Sequence, residues 1–370
     1  MIGDRAPLSA RASRRTSLLP LVGLLKNRLP RGPAPGVFSQ ATSSWEISPA
    51  TETLARHAFF LPGQIERVKD WTFTDGHPSR EMRGGYVARN VPTRAFLLED
   101  VWLLDGTLYR GWAHTFLLPR ARRMPRLEAE VEIKRAALYC SAIGNKYFGN
   151  WLMDDCVTYP LAAAEAVPVT TNQAVSLHVL GYEDMLGMTP TRVGNAFFHR
   201  LIIFQDFGQN RSKQARFRAV GETLRAHVKW TPHPGVFILR GQAGLRRVLR
   251  NELEVAERLR DRRGFRIIDP AVSGVPEIAA ACAGACAVVG IEGSALVHGI
   301  LGLQPGGAVL ALQPPNRFVT LYKHLTDRDG QNFGFVVGSS IGEDFSVDPD
   351  EVERTLDLFP PVEAGQAPST

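Results

Sequence analysis

Two adjacent acids, Asp154 and Asp155, lie in a run crowded with aromatic residues, Leu138 to Pro160, which also holds Tyr147, Phe148 and Trp151. A carboxylate beside a like charge and among apolar rings can take a raised pKa and serve as a general base. The simpler reading is that both acids open a helix whose dipole favours them. On residue chemistry alone that reading carries more weight.

A second group is basic. Arg240 ends a short apolar run, Val236 to Leu239, and Arg246 and Arg247 stand just before or inside the helix that follows. Guanidinium groups near a helix start suit a diphosphate, because free N–H groups and planar bidentate donors both attract it. Arg250, Arg258, Arg260, Arg262 and Arg263 read instead as a solvated face, with Glu254 and Arg258 four apart and able to pair on it. A third group is the turn Gly290 to His298. Its Gly-x-x-Gly-Ser order lets backbone approach a ligand closely, yet it is neither a dinucleotide fingerprint nor a P-loop. Ser294 is expected to cap the next helix and stays able to bond a phosphate. Glu292 can accept hydroxyls from a ribose or sugar. His298, one turn into the helix, reads as core or as ligand contact.

These groups need elements to place them. From Phe237 to Gln313 strands and helices alternate, the rhythm of a parallel sheet with helices on both faces, and such sheets bind ligands beyond their strand ends. Upstream, Trp45 to about Arg135 reads as short strands, among them Tyr86–Ala88, Ala95–Leu98 and Val101–Leu104, with Asp105-Gly106 as a hairpin turn. Arg120 to Arg126 reads as a solvated basic connector. Val175–Leu180 and Arg200–Phe204 read as further strands, then a helix with Phe217, Val220 and Leu224 at helical spacing and basic residues opposite. Trp230 to Gly235, with its two prolines, reads as a linker. Beyond Gln313 the rhythm is lost until a terminal helix over Val347–Leu358.

The expected domains are therefore 45–230, an α/β domain, and 231–345, a Rossmann-like domain. A basic, flexible tail (1–44) and a terminal helix and tail (346–370) flank them. In the first tail a leucine-rich run, Leu18 to Leu25, lies among arginines. It is far short of the ~20 apolar residues that span a bilayer. Peripheral contact with an anionic membrane and a plain unstructured start both fit it.

With 370 residues, 44% hydrophobic and 22% charged, the composition is that of an ordinary globular protein of two domains. The net charge of +6 is carried mostly by arginine and suits anionic partners. The four cysteines form no CxxC pair and sit at no zinc spacing, which together with the chain's size points to a reducing, cytoplasmic setting.

Three blocks resemble glycosyltransferase family 61, the capsular polysaccharide biosynthesis type. YFGNWLMDD (Tyr147–Asp155) is similar to the family's aromatic His-Trp-Leu-x-Asp signature. ILRGQAGLRRVLRNELEV (Ile238–Val255) resembles its strand–Arg, Arg-Arg, Asn-Glu pattern, ending in Asn251 and Glu252. VVGIEGSALVHGILGLQPGGAVLALQPP (Val288–Pro315) resembles its glycine turn and next strand. Asn150 stands where many members carry histidine, and so does Glu292, which signals a different donor or acceptor or a chain without activity. The resemblance implies a GT-B architecture, two Rossmann-like domains facing a cleft. It also implies inverting transfer from a nucleotide-sugar donor to a glycan or lipid-linked acceptor, with no cofactor and no required metal.

On that footing Arg240, Arg246, Arg247, Asn251, Glu252, Glu292, Gly293, Ser294 and His298 are the donor side. Tyr147, Asn150 and Trp151 are the acceptor side, and Asp154 or Asp155 the base. The rival readings are a catalytically silent sugar-nucleotide binder in an assembly complex and a nucleic-acid-binding protein. The second lacks arginines interleaved with aromatics on any sheet face. A dehydrogenase lacks its glycine fingerprint.

Overall fold

In a computed structural model, residues 10–26, 35–72, 78–119, 126–241 and 247–361 are described. Taking only those residues, the chain divides into two compact units, one within Met1–Thr51, Val91–Val179 and Gly187–Lys213, the other within Glu52–Asn90, Leu180–Leu186 and Gln214–Thr370. Residues 52–90, grouped by sequence with the first domain, thus fall in the second unit.

The first unit is built on nine strands of one mixed sheet: β1 (Ala10–Ala12), β2 (Ser43–Ser48), β3 (Thr93–Leu104), β4 (Thr107–Arg110), β5 (Ala113–Phe116), β6 (Val131–Leu138), β7 (Pro168–Thr171), β8 (Thr191–Val193) and β9 (Ala196–Gln205). Their main order is β8-β7-β6-β9-β3-β4-β5, with β1 on β6 and β2 on β3. β8, β7, β6 and β9 run parallel; β3, β4 and β5 continue antiparallel. Residues 136–138 and 201–204 of the central strands are buried on both faces, and Leu98, Val101, Ile133, Phe198 and Ile203 form one core. Sequence splits β3 in two. The structure keeps one strand, broken only locally where Asp100 takes φ 53°. Asp105 (φ 45°) and Gly106 (φ 72°) make the expected hairpin between β3 and β4.

Residues 10–16, read as part of a flexible tail, lie against this sheet. β1 pairs with β6, and Glu132 draws in Arg11 at 3.0 Å and Arg15 at 3.3 Å. Partners supply the order that composition denies. Val175–Leu180 is a further correction. A helix, Leu177–Met185, occupies it because the Ser176 hydroxyl accepts from the Val179 N–H and caps the first turn.

The second unit centres on a five-stranded parallel sheet: β10 (His233–Ile238), β11 (Arg266–Ile268), β12 (Ala285–Ile291), β13 (Ala308–Gln313) and β14 (Asn332–Val337), ordered β11-β10-β12-β13-β14. Labelled helices on this sheet are α1 (Glu252–Arg263), α2 (Val275–Ala283), α3 (Ser294–Gly302), α4 (Leu321–Asp329) and α5 (Pro349–Leu356). The expected linker is partly strand, since His233–Gly235 open β10. The rhythm also continues past Gln313, through α4 and β14, to the terminal helix α5, whose Asp348 caps it by accepting from Asp350 N at 2.9 Å. Phe237, Leu259, Val289, Leu310 and Val336 pack the core beneath. Among the described residues no helix is long and apolar enough to cross a membrane.

Candidate functional site

Chain order against spatial order locates the crevice in the second unit. β10 is followed by β11 on one side and then by β12 on the other, so neighbouring β10 and β12 form the switch point where open parallel sheets bind ligands. Arg240 leaves β10 there, and Glu292-Gly293 leave β12 beside it.

Arg240 is fixed from both ends. Its backbone N–H and that of Gly241 donate to the two Glu252 carboxylate oxygens at 2.7 and 2.9 Å, and its Nη1 donates to the Arg247 carbonyl at 3.0 Å. Glu252 thereby holds the loop, and burial raises its pKa against those N–H donors. Asn251 is similarly occupied, exchanging hydrogen bonds with the Val347 backbone at 2.9 and 3.2 Å. Arg246 lies outside the described residues.

Arg247 is 7% exposed and Glu292 1%. Arg247 Nε ion-pairs with Glu292 Oε1, and Arg317 Nε approaches the same oxygen at 3.5 Å. Two guanidinium groups therefore meet one buried carboxylate, and the Arg240 charge acts on it as well. Burial pushes the Glu292 pKa up while Arg247, Arg317 and Arg240 pull it down; burial and then the Arg247 charge lower the Arg240 pKa. Arg247 Nη1, buried, has no hydrogen-bond partner among the described residues. Such a donor costs free energy unless something accepts from it.

Gly293 makes the close approach possible. At φ 151° and ψ 177° it holds a conformation that only glycine adopts readily, and a Cβ there would lie 3.1 Å from Arg240 Nε. It, not Ser294, is the cap residue of α3; Ser294 is the first helical residue. His298 is buried inside α3, its Nδ1 2.7 Å from the Tyr182 hydroxyl.

The first unit has its own switch point, between parallel β6 and β9. The helical run from Phe148 to Glu165 lies beyond β6 in sequence and widens into a π-turn at Trp151–Asp155, where Cys156 N–H reaches the Trp151 carbonyl. The acids thus sit inside a helix rather than at its opening, in a wide turn of a kind frequent at functional sites. Asp155 is 2% exposed and accepts from Ser141 Oγ at 2.8 Å and Ser141 N at 3.2 Å. Burial, aided by the Asp154 charge, holds its pKa well above the usual carboxylate range. Asp154 turns the other way, 27% exposed in its side chain and 2.6 Å from the Nζ of Lys213, itself 1% exposed. Lys213 also donates to the Asp206 carbonyl at 2.5 Å, while the Asp206 carboxylate accepts from Thr93 and Thr158 hydroxyls at 2.7 and 2.9 Å. Trp151 is buried, stacked on Phe148 at 5.9 Å; Tyr147 and Asn150 are half-buried.

Lys213, Asp206, Arg317 and Tyr322 escape a sequence reading. Lys213 looks like one more charge on a basic helix face, and Arg317 falls where the pattern fades. A strand-end rule, applied to the residues just beyond β9 and β13, would have found Asp206 and Arg317.

An α/β chain with a large mixed sheet, guanidinium groups at one switch point and paired carboxylates at another has the make-up of an α/β glycosyltransferase. The chain belongs to glycosyltransferase family 61: the family model described as Glycosyltransferase 61 matches residues 109–310, more than half of it. Its class of activity is accordingly sugar transfer from a donor to an acceptor. A search of curated proteins finds no match.

Proposed function

We propose that this chain is an inverting, metal-independent glycosyltransferase of GT-B architecture. It moves a sugar from a nucleotide-sugar donor to a glycan or lipid-linked acceptor in capsular, exopolysaccharide or lipopolysaccharide synthesis. The second unit supplies the donor side and the first the acceptor side. The observation that carries the reading is the guanidinium cluster at the β10/β12 switch point, with Arg247 Nη1 buried and awaiting an acceptor.

Arg240 and Arg247, with the N-terminus of α3, hold the donor diphosphate and offset charge as it leaves. Asp154 takes the acceptor hydroxyl's proton while the anomeric carbon inverts. Its partial exposure and fixed contact with Lys213 favour it over Asp155, which is sealed and carries a raised pKa. Asp155 instead braces the Ser141 turn.

A thermal-shift screen with nucleotide sugars tests the donor reading, since a ligand at a hundred times its Kd stabilises by about 2.7 kcal/mol. Released nucleoside diphosphate, measured with candidate acceptors and in the presence of a chelator, then tests transfer. No shift with any donor sinks the reading. Binding without turnover favours the silent sugar-nucleotide binder, to which the buried, ion-paired Glu292 in place of a family histidine also points.

A further inference from the structure

The loop between β13 and α4 is held in place with unusual thoroughness for a connector. Gln313 clamps it, its Nε2 donating to the Val319 carbonyl at 2.9 Å and its Oε1 accepting from Val319 N–H at 3.2 Å. Phe318 and Val319 pair with the short strand Trp71–Thr72, and the Phe318 and Trp71 rings pack at 4.7 Å. The result is that Arg317, the basic residue of a loop whose ends are fixed, stands at the same sheet edge as Arg240 and Arg247. Thr320, at the start of α4, is 1% exposed and its hydroxyl has no hydrogen-bond partner among the described residues. Tyr322, one residue into α4, is buried; burial and the Glu292 charge push its pKa up, while its hydroxyl is hydrogen-bonded to the Gly293 backbone.

The three arginines differ in burial. Arg240 and Arg247 are buried and engaged with backbone carbonyls. The Arg317 side chain keeps 28% of its surface, and its approach to Glu292 Oε1, at 3.5 Å, is that of a loose ion pair. Glu292 in turn is too deeply placed, and too fully engaged by guanidinium groups, to serve freely as an acceptor for sugar hydroxyls.

We infer that Arg317 is a third ligand-binding arginine of the diphosphate site and that Glu292 is its resident counter-ion. In the free protein the Glu292 carboxylate supplies the negative charge that would otherwise be missing among three guanidinium groups. When a diphosphate arrives, Arg317 turns from Glu292 to it, joining the free Nη1 of Arg247 and the N–H groups at the start of α3. Thr320 Oγ offers its hydrogen to the same ligand. Glu292 therefore competes with the ligand, setting its affinity and easing its release. This rests on the proposed diphosphate role of Arg240 and Arg247.

Calorimetric titration of the full chain with inorganic pyrophosphate, and separately with uridine and guanosine diphosphates, tests it. Arg317→Gln should weaken binding of whichever probe binds by tenfold or more, with a melting temperature near that of the wild type because the side chain is partly solvated. Glu292→Gln should tighten binding severalfold, since the internal competitor has gone. Wild-type affinity in Arg317→Gln overturns the inference, as does weaker binding in a folded Glu292→Gln; should that variant not fold, Arg317→Gln decides alone. If the wild type binds none of the three probes at millimolar concentration, the diphosphate reading itself falls and this inference with it. If Arg247→Gln abolishes binding while Arg317→Gln and Glu292→Gln leave it unchanged, only the role of Arg317 and Glu292 is lost.

Discussion

Replacing Gly293 by alanine should damage both the fold and the anion site, and the structure lets the size be worked out. The residue sits at φ 151° and ψ 177°. Holding a side chain in that glycine-only region costs on the order of 1–3 kcal/mol. The new Cβ would also lie 3.1 Å from Arg240 Nε, 3.3 Å from Arg240 Cδ and 3.5 Å from Arg247 Nη2. A flexible arginine tip could give way cheaply. This one cannot, because Nη1 donates to the Arg247 carbonyl and the Arg240 N–H is tied to Glu252. Losing one such hydrogen bond adds about 1 kcal/mol, for a total of roughly 2–4 kcal/mol. For a unit of about 200 residues that lowers the melting temperature by on the order of 5–12 °C. Gly306→Ala is the control, because Gly306 has φ 82° with nothing within 4 Å of a Cβ, so it reports backbone strain alone. Melts followed by circular dichroism, with pyrophosphate titrations of both variants, separate the effects. If Gly293→Ala melts within about 2 °C of the wild type and binds pyrophosphate as well, the crowding of Arg240 is not what the turn is for.

Three other outcomes are expected on the same physical grounds. Gly144→Ala would ordinarily stabilise a helix by about 1 kcal/mol, but its Cβ would fall 2.0 Å from the buried Oδ2 of Asp155. Breaking the Ser141 contacts should win, giving a net loss of about 1–3 kcal/mol in urea unfolding. Asp154→Asn should cost more stability than Lys213→Met, about 3–5 against 1–3 kcal/mol, because only the first strands a charge in the interior. Equal costs in chemical unfolding would contradict that asymmetry, and transfer by Asp154→Asn must be scaled to its folded fraction. Contacts from Arg11 and His199 lower the Glu132 pKa from 4.5 to about 2, so the stability it lends β1 is present above about 4.5 and lost as pH falls toward 2. Amide exchange at Ala10–Ala12 should accelerate across that window, and Glu132→Gln should abolish the pH dependence.

How much of the fold and site is legible in the sequence depends on how local the cause is. The parallel alternation from Phe237 to Gln313, the Asp105-Gly106 hairpin and the terminal helix are decided by neighbours in the chain, and each stands where expected. Val175–Leu180 misleads because alternating apolar residues over six positions fit a strand as well as the first turns of a helix, and a single serine hydroxyl decides between them. Residues 52–90 show the non-local limit. Their short strands look alike wherever they dock, and only distant pairings such as Trp71 with Phe318, or Arg56 with the Gln331 carbonyl at 2.9 Å, assign them to the second unit.

The arginines show why topology outweighs composition in finding a site. Between Arg240 and Arg263 they are dense enough that every one could be claimed for an anion, yet the structure sorts them by the element that carries them. Arg258 and Arg263 project from α1 to Asp350 and Glu353 of the neighbouring α5 and to Asp357 just past its end, partly solvated pairs worth little each. Arg240 belongs to a strand end, and a strand end at a switch point is the one place in a parallel sheet where backbone N–H groups, helix starts and side chains from several loops converge. Arg317 obeys the same rule from the end of β13, although nothing in its own neighbourhood marks it. The same logic separates the acids. Asp154 and Asp155 are adjacent in sequence, but the π-turn aims one at a buried lysine and the other into Ser141, so one carboxylate keeps 27% of its surface while its neighbour is sealed. On the proposed mechanism, those opposite surroundings let a single turn supply both the base and the brace that fixes it.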